Sequence, residues 1–98
     1  MTLLETLQEN RSRILEIAAK HGAFNVRVFG SVVRGEDTPD SDIDFLIDYD
    51  LDKVTPWFPV GLIHDLQDFL ERDVVDVVSA KSLHYYIKDR VLAEAKPL

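Results

Sequence analysis

Phe29-Gly30-Ser31-Val32-Val33-Arg34-Gly35, followed past an acidic turn by Ser41-Asp42-Ile43-Asp44-Phe45-Leu46-Ile47, decides how the rest of the chain is read. If residues 43–47 form a strand, its period of two places Asp42 and Asp44 on one face while Ile43, Phe45 and Ile47 point to the other. Two carboxylates then stand at the mouth of an apolar strand, just downstream of a Gly-Ser turn. Hard cations such as Mg2+ take oxygen ligands, usually one or two protein carboxylates together with substrate phosphates. The acids would supply the metal side of such a site and the Gly-Ser turn the phosphate side.

Upstream, Asn25 to Phe29 alternates and is rich in β-formers, so it reads as a first strand running into Gly30. A strand that delivers Gly-Ser and then a short helical turn presents free backbone N–H groups to an anion. Glycine at 30 lets a phosphate approach the backbone closely, and Ser31 can add its hydroxyl as a donor. Two roles are open to Arg34: reaching a triphosphate, or pairing with nearby carboxylates to hold the loop, which is the favoured one. Ser41 reads as a local brace at the start of the next strand. At the N-terminus, Thr2 and Glu5 have capping-box spacing, and Leu3, Leu7, Ile14 and Ala18, with Leu4 and Ile17 beside them, recur at helical spacing. This predicts one helix from about residue 3 to 20, closed by Gly22.

Downstream, Glu36-Asp37-Thr38-Pro39-Asp40 is a polar surface turn. The run Asp48-Tyr49-Asp50-Leu51-Asp52-Lys53 has the look of a calcium loop, but an EF-hand begun at Asp48 needs Gly and Glu where Lys53 and Pro59 stand. Asp48 shares strand parity with Asp42 and Asp44 yet lies well along the strand, away from the Gly-Ser turn. From Gly61 onward, Leu62, Ile63, Leu66, Phe69 and Leu70 mark a second amphipathic helix. Asp73 to Val78 is a β-branched run and a third strand, with Asp76 between valines. An acid inside an apolar strand is costly unless paired or bound to a metal; the alternative is an edge strand with Asp76 facing water. Ser82 can cap a final helix in which Leu83, Ile87 and Val91 form one row, ended by Pro97. His21, His64 and His84 have no partner at ligand spacing and read as surface or satisfied residues, and Tyr85 and Tyr86 as packing or surface.

With 98 residues the chain is expected to form a single domain, 1–98, with room for one core but not for a second substrate-binding lobe. A hydrophobic fraction of 46% with 30% charged residues is that of an ordinary globular protein. The net charge of -7 argues against a broad basic face for nucleic acid and favours a basic protein partner. Without cysteine there is no disulfide framework, thiolate metal site or Cys nucleophile, so carboxylates must carry any metal chemistry. Neither a signal peptide nor a membrane-length apolar run is seen, which makes the cytoplasm the default location.

Gly30-Ser31, ten intervening residues, then Asp42-Ile43-Asp44 resembles the motif of the DNA polymerase beta-type nucleotidyltransferases. The fuller run, Gly-Ser-x-x-Arg-Gly and then Ser-Asp-x-Asp, is similar to the minimal nucleotidyltransferase (MNT) domains, many of which are antitoxins encoded beside HEPN-domain toxins. The likeness extends over nearly the whole chain; one departure is Val33, where relatives often have alanine. The resemblance implies an α/β (α+β) palm-like sandwich: a small mixed sheet of three to four strands with about three main helices. It implies that Asp42 and Asp44 bind two Mg2+ ions, with Asp76 as the third carboxylate at the incoming hydroxyl and Asp73 as its fallback. Gly30 and Ser31, with Arg34 beside them, would grip the phosphates of ATP. The implied reaction moves AMP from ATP to a tyrosine of a HEPN RNase toxin, with no direct contact to nucleic acid or membrane. Two other readings stay open: a small-molecule nucleotidyltransferase working as an oligomer, and a non-catalytic antitoxin that inhibits by binding alone.

Overall fold

The computed structural model describes residues 2–98. Where one N-terminal helix is predicted there are two, α1 (Leu3–Glu9) and α2 (Arg11–Lys20). The start is as expected: the Thr2 hydroxyl accepts from the Glu5 amide while the Glu5 carboxylate accepts from the Thr2 amide, so two orphan donors are satisfied reciprocally. The break falls at Asn10, whose side-chain amide donates to the Thr6 carbonyl at 2.8 Å. A short amide side chain that competes for the backbone in this way closes one helix and lets the next begin at a new angle.

Strand β1 (Ala23–Phe29) leads through Gly30 into the short helix α3 (Ser31–Arg34), and β2 (Ile43–Tyr49) follows the acidic turn. Helix α4 (Val60–Leu70) carries the chain across the sheet to β3 (Val75–Ser79). A 3-10 turn (Ala80–Ser82) then precedes α5 (Tyr85–Glu94) and a two-residue strand, β4 (Lys96–Pro97). The sheet order is β3-β2-β1-β4, with β2 parallel to β3 and antiparallel to β1, and β4 antiparallel to β1. The parallel pair needs a crossover, which α4 supplies.

Boundaries in the C-terminal part differ from expectation. The third strand starts at Val75 and leaves Asp73 in the preceding bend. The last helix is capped not by Ser82 but by His84, whose Nδ1 accepts from the Tyr86 amide, because Leu83 is extended and breaks the row. Pro97 belongs to β4; with no N–H to donate, proline is tolerated there because β4 is an edge strand, paired with β1 alone among the described residues.

The helices α1, α2 and α4 cover one sheet face. Leu7, Ile14, Ile17, Ala18, Leu62 and Leu66 pack there against Val26, Val28, Ile43, Phe45, Ile47, Val75 and Val77, all buried. The period of two turns Phe29, Asp44, Leu46 and Asp76 to the other face. There Leu46 is fully buried and α5 contributes Val91, the sole buried residue of its ten. Among the described residues no helix is long and apolar enough to cross a membrane.

Candidate active site

Asp44 stands at the centre of the second face, paired with Phe29 across the antiparallel ladder and with Asp76 across the parallel one. In-register partners point to the same side of a sheet, so Asp44 and Asp76 project from adjacent strands in the same direction. Asp76 lies on an edge strand and is exposed, so the desolvation cost weighed for an acid in an apolar run does not arise. Asp42 precedes the strand, shares the parity of Asp44 and is also exposed.

Gly30 follows directly on the residue opposite Asp44. Its backbone, at φ 81 and ψ -152, occupies a region that only glycine visits readily. A Cβ built there would stand 2.5 Å from the Asp44 Oδ2, so the missing side chain is what admits the carboxylate. The next amides, of Ser31 and Val32, open a helical turn and by position have no intrahelical acceptor.

Burial, and then the charges of Asp42 and Asp76, push the Asp44 carboxyl from 3.8 up to about 6, with Arg34 pulling the other way and Glu94 adding to the rise. The cluster therefore favours a positive charge among its carboxylates. All of its donors are oxygens, the set that hard divalent cations take. Among the described residues no three His, Asp or Glu side chains are already drawn close enough to enclose an ion.

Arg34 pairs with two nearby carboxylates: its guanidinium contacts Glu36 at 3.3 Å and Glu94 at 2.7 Å. Glu94 was not singled out from the sequence, yet its Oε1 accepts from both the Gly30 N–H, at 2.6 Å, and Arg34 Nη1. Its placement depends on β4, which a helix ending at Pro97 conceals. A shallow groove of about 210 Å³ opens beside this contact, lined by Phe29, Gly30, Arg34, Ile87, Arg90 and Glu94 among others.

The remaining acids lie elsewhere. Asp48 sits farther along β2, where it pairs with Arg27 at 3.3 Å and accepts from Asn25 at 2.8 Å. Asp50 closes its own turn by accepting from the Asp52 amide. An apolar cavity of about 340 Å³, lined by Ile47, Tyr49, Phe58 and Val77 among others, opens toward the far ends of β2 and β3 and holds no carboxylate. Of the histidines, His64 is exposed, His84 caps α5, and His21 is hydrogen-bonded to Asp65 at 2.6 Å.

A four-stranded mixed sheet with paired aspartates beside a Gly-Ser turn is the architecture of the nucleotidyltransferases, and this chain belongs to the nucleotidyltransferase domain family, whose sequence model matches residues 11–97. Within it the chain is a minimal nucleotidyltransferase domain: a solved structure provisionally described as a minimal nucleotidyltransferase superposes with a TM-score of 0.83 and 42% identity, over 100% of this chain and 97% of that one. MJ0435 of Methanocaldococcus jannaschii, provisionally named a protein adenylyltransferase, is 36% identical over 89 residues, 91% of this chain and 94% of its own length. A crystal structure of a toxin-antitoxin with AMP-PNP shares the fold, with a TM-score of 0.73 and 23% identity over 90% of this chain and 71% of that one.

Proposed function

We propose that this nucleotidyltransferase is an Mg2+-dependent antitoxin, acting as one minimal domain, that transfers AMP from ATP to a tyrosine hydroxyl of a HEPN RNase toxin. The observation that carries the chemistry is the pairing of Asp44 with Asp76 directly beside Gly30. The choice of a protein acceptor is supported by the name of the relative MJ0435 and by the toxin-antitoxin structure that shares the fold.

Asp42, Asp44 and Asp76 would hold two Mg2+ ions, which when bound neutralise charge on the phosphates and at the attacking and leaving oxygens. Gly30 and Ser31 would take the β- and γ-phosphates through backbone N–H and hydroxyl donors. The phenolic oxygen of the acceptor forms a bond to the α-phosphorus, the bond from that phosphorus to the bridging oxygen breaks, and pyrophosphate carries the electron pair away. The phenolic proton passes toward the Asp76 carboxylate, which is exposed where an incoming protein can reach it. Most of the acceleration comes from alignment and charge neutralisation rather than from covalent chemistry on the protein. A tyrosine adenylate adds bulk and negative charge where an RNase must bind RNA phosphate, a sufficient physical cause of inhibition.

The test is to incubate the chain with Mg2+, α-labelled ATP and the product of its neighbouring gene, beside Asp44→Asn. Label on the partner protein that disappears with the variant is the expected result. Label confined to a low-mass acceptor would establish the small-molecule transferase instead. An inhibitory complex formed with no label would establish a module that acts by binding.

A further inference from the structure

Two of the donors placed beside the phosphates, the Gly30 amide and the Arg34 guanidinium, are already engaged by the chain itself. Glu94 Oε1 accepts at once from the Gly30 amide and the Arg34 guanidinium, at 2.6 and 2.7 Å. A carboxylate oxygen held between a backbone N–H and an arginine meets the same donors, at the same distances, that a phosphate oxygen would use.

This contact follows from register. In the β1/β4 ladder Arg27 faces Pro97 and Val28 faces Lys96. Glu94 ends α5 two residues before Lys96, and Gly30 follows Val28 by two, so the short ladder brings the end of the helix beside the turn. The side chain is only 19% exposed there, although it sits near Asp44 and adds to the repulsion that Asp44 experiences. Two donors hold an acid in a place its neighbours disfavour. The helix that carries it is lightly anchored, with Val91 its one buried residue, so the carboxylate can be withdrawn without disturbing the core on the opposite face.

We propose that Glu94 is a built-in competitor for the phosphates of the nucleotide: its carboxylate occupies the Gly30 amide and Arg34 until the nucleotide displaces it. This inference rests on the reading of the Gly30-Ser31 turn as the phosphate grip. It gives the site a resting state in which ATP must exchange for an internal anion, and it makes any event that lifts the end of α5 an activating one.

The experiment measures binding of Mg2+-ATP, and separately of inorganic tripolyphosphate, to the intact protein and to Glu94→Gln by calorimetry. The neutral amide keeps the shape and can still accept a hydrogen bond but loses the charge. Loss of a charge-assisted competitor predicts that both ligands bind about ten-fold more tightly. Glu94→Asp, with its charge retained on a shorter stem, is expected to fall between the two. The Gly30 amide proton in the 15N-resolved spectrum gives an independent reading. It should move upfield in ligand-free Glu94→Gln, and tripolyphosphate should shift it in the unaltered protein as Glu94 leaves, with the other amides showing the fold intact. Equal or weaker binding by Glu94→Gln would overturn the inference, as expected of a brace or a metal ligand, and would leave the transferase reading standing. If neither protein binds either ligand, the phosphate-grip reading itself fails and the inference with it.

Discussion

Replacing Gly30 with alanine perturbs the fold and the chemistry through one added methyl group. The backbone at φ 81 and ψ -152 is glycine territory, and holding an L-residue there costs about 1–3 kcal/mol. The new Cβ would also lie 2.5 Å from Asp44 Oδ2 and 3.4 Å from its Cγ, which is inside contact distance for the oxygen. The least costly relief is rotation of the Asp44 carboxylate, because that side chain ends in a free rotor whereas the strand behind it is fixed on both sides by ladders. A domain of this size loses about 4–8 °C of Tm per kcal/mol, so Gly30→Ala should melt roughly 4–24 °C lower by far-UV circular dichroism. A displaced acid should cost about 100-fold or more in the rate of label transfer. Gly35→Ala is the internal comparison. It too has a positive φ, of 72, but a Cβ there meets nothing within 4 Å, so its cost is the left-handed backbone alone, about 1–2 kcal/mol. It should lose some stability and keep its transfer rate, measured well below both melting points. If Gly30→Ala transfers label as fast as Gly35→Ala, the close approach of backbone and carboxylate has no part in the chemistry and the reasoning is wrong.

Asp44→Asn should abolish transfer yet stabilise the protein in the absence of metal at neutral pH. The Asp44 pKa is raised from 3.8 to about 6, so the stability this group contributes is fully present below pH 3.8 and is lost as pH rises through about 6. A rise of about two units would correspond to roughly 3 kcal/mol at full weight, and screening at a half-buried carboxylate reduces the expectation to about 1–2 kcal/mol. Melting curves at pH 4.5 and pH 8 should show the variant gaining on the unaltered protein at the higher pH, and an equal offset at both would refute the assignment. Asp48→Asn shares the parity of Asp44 but removes only the ion pair with Arg27 and a hydrogen bond from Asn25; it should cost about 1–2 kcal/mol in chemical denaturation and leave label transfer unchanged.

The acids and the Gly-Ser turn were legible in the sequence because strand parity and spacing are local properties. Asp42 and Asp44 follow the turn at a fixed spacing of ten residues, and the alternation of Ile43, Phe45 and Ile47 states which face they take. Asp76 stood out locally as an acid between valines, but its role as third carboxylate came only through the family resemblance, since nothing local announces a parallel register with a strand thirty residues earlier. The edge position of β3 selects the second of the two readings open to this acid: Asp76 is tolerated because it faces water. The break at Asn10 was hidden because both halves of the helix carry the same apolar stripe, and one side-chain amide decides between a continuous and a bent rod. Glu94 was hidden for a different reason. Two residues of edge strand have no periodicity, and without β4 there is no register to carry Glu94 to Gly30.

The separation between Asp44 and Asp76 is set by no side chain at all. Adjacent strands stand about 4.8 Å apart because amide hydrogen bonds have one preferred length, so the sheet works as a ruler whose smallest division lies in the peptide group. The apolar residues beneath can be exchanged for others of similar volume and the ruler still reads the same. A single residue inserted into β3 ahead of Asp76 would instead turn that acid toward Phe45 and Ile43 and present a valine to the groove. The chemistry is thus tolerant of substitution and intolerant of length, and the strands that carry it are where insertions and deletions should be least accepted.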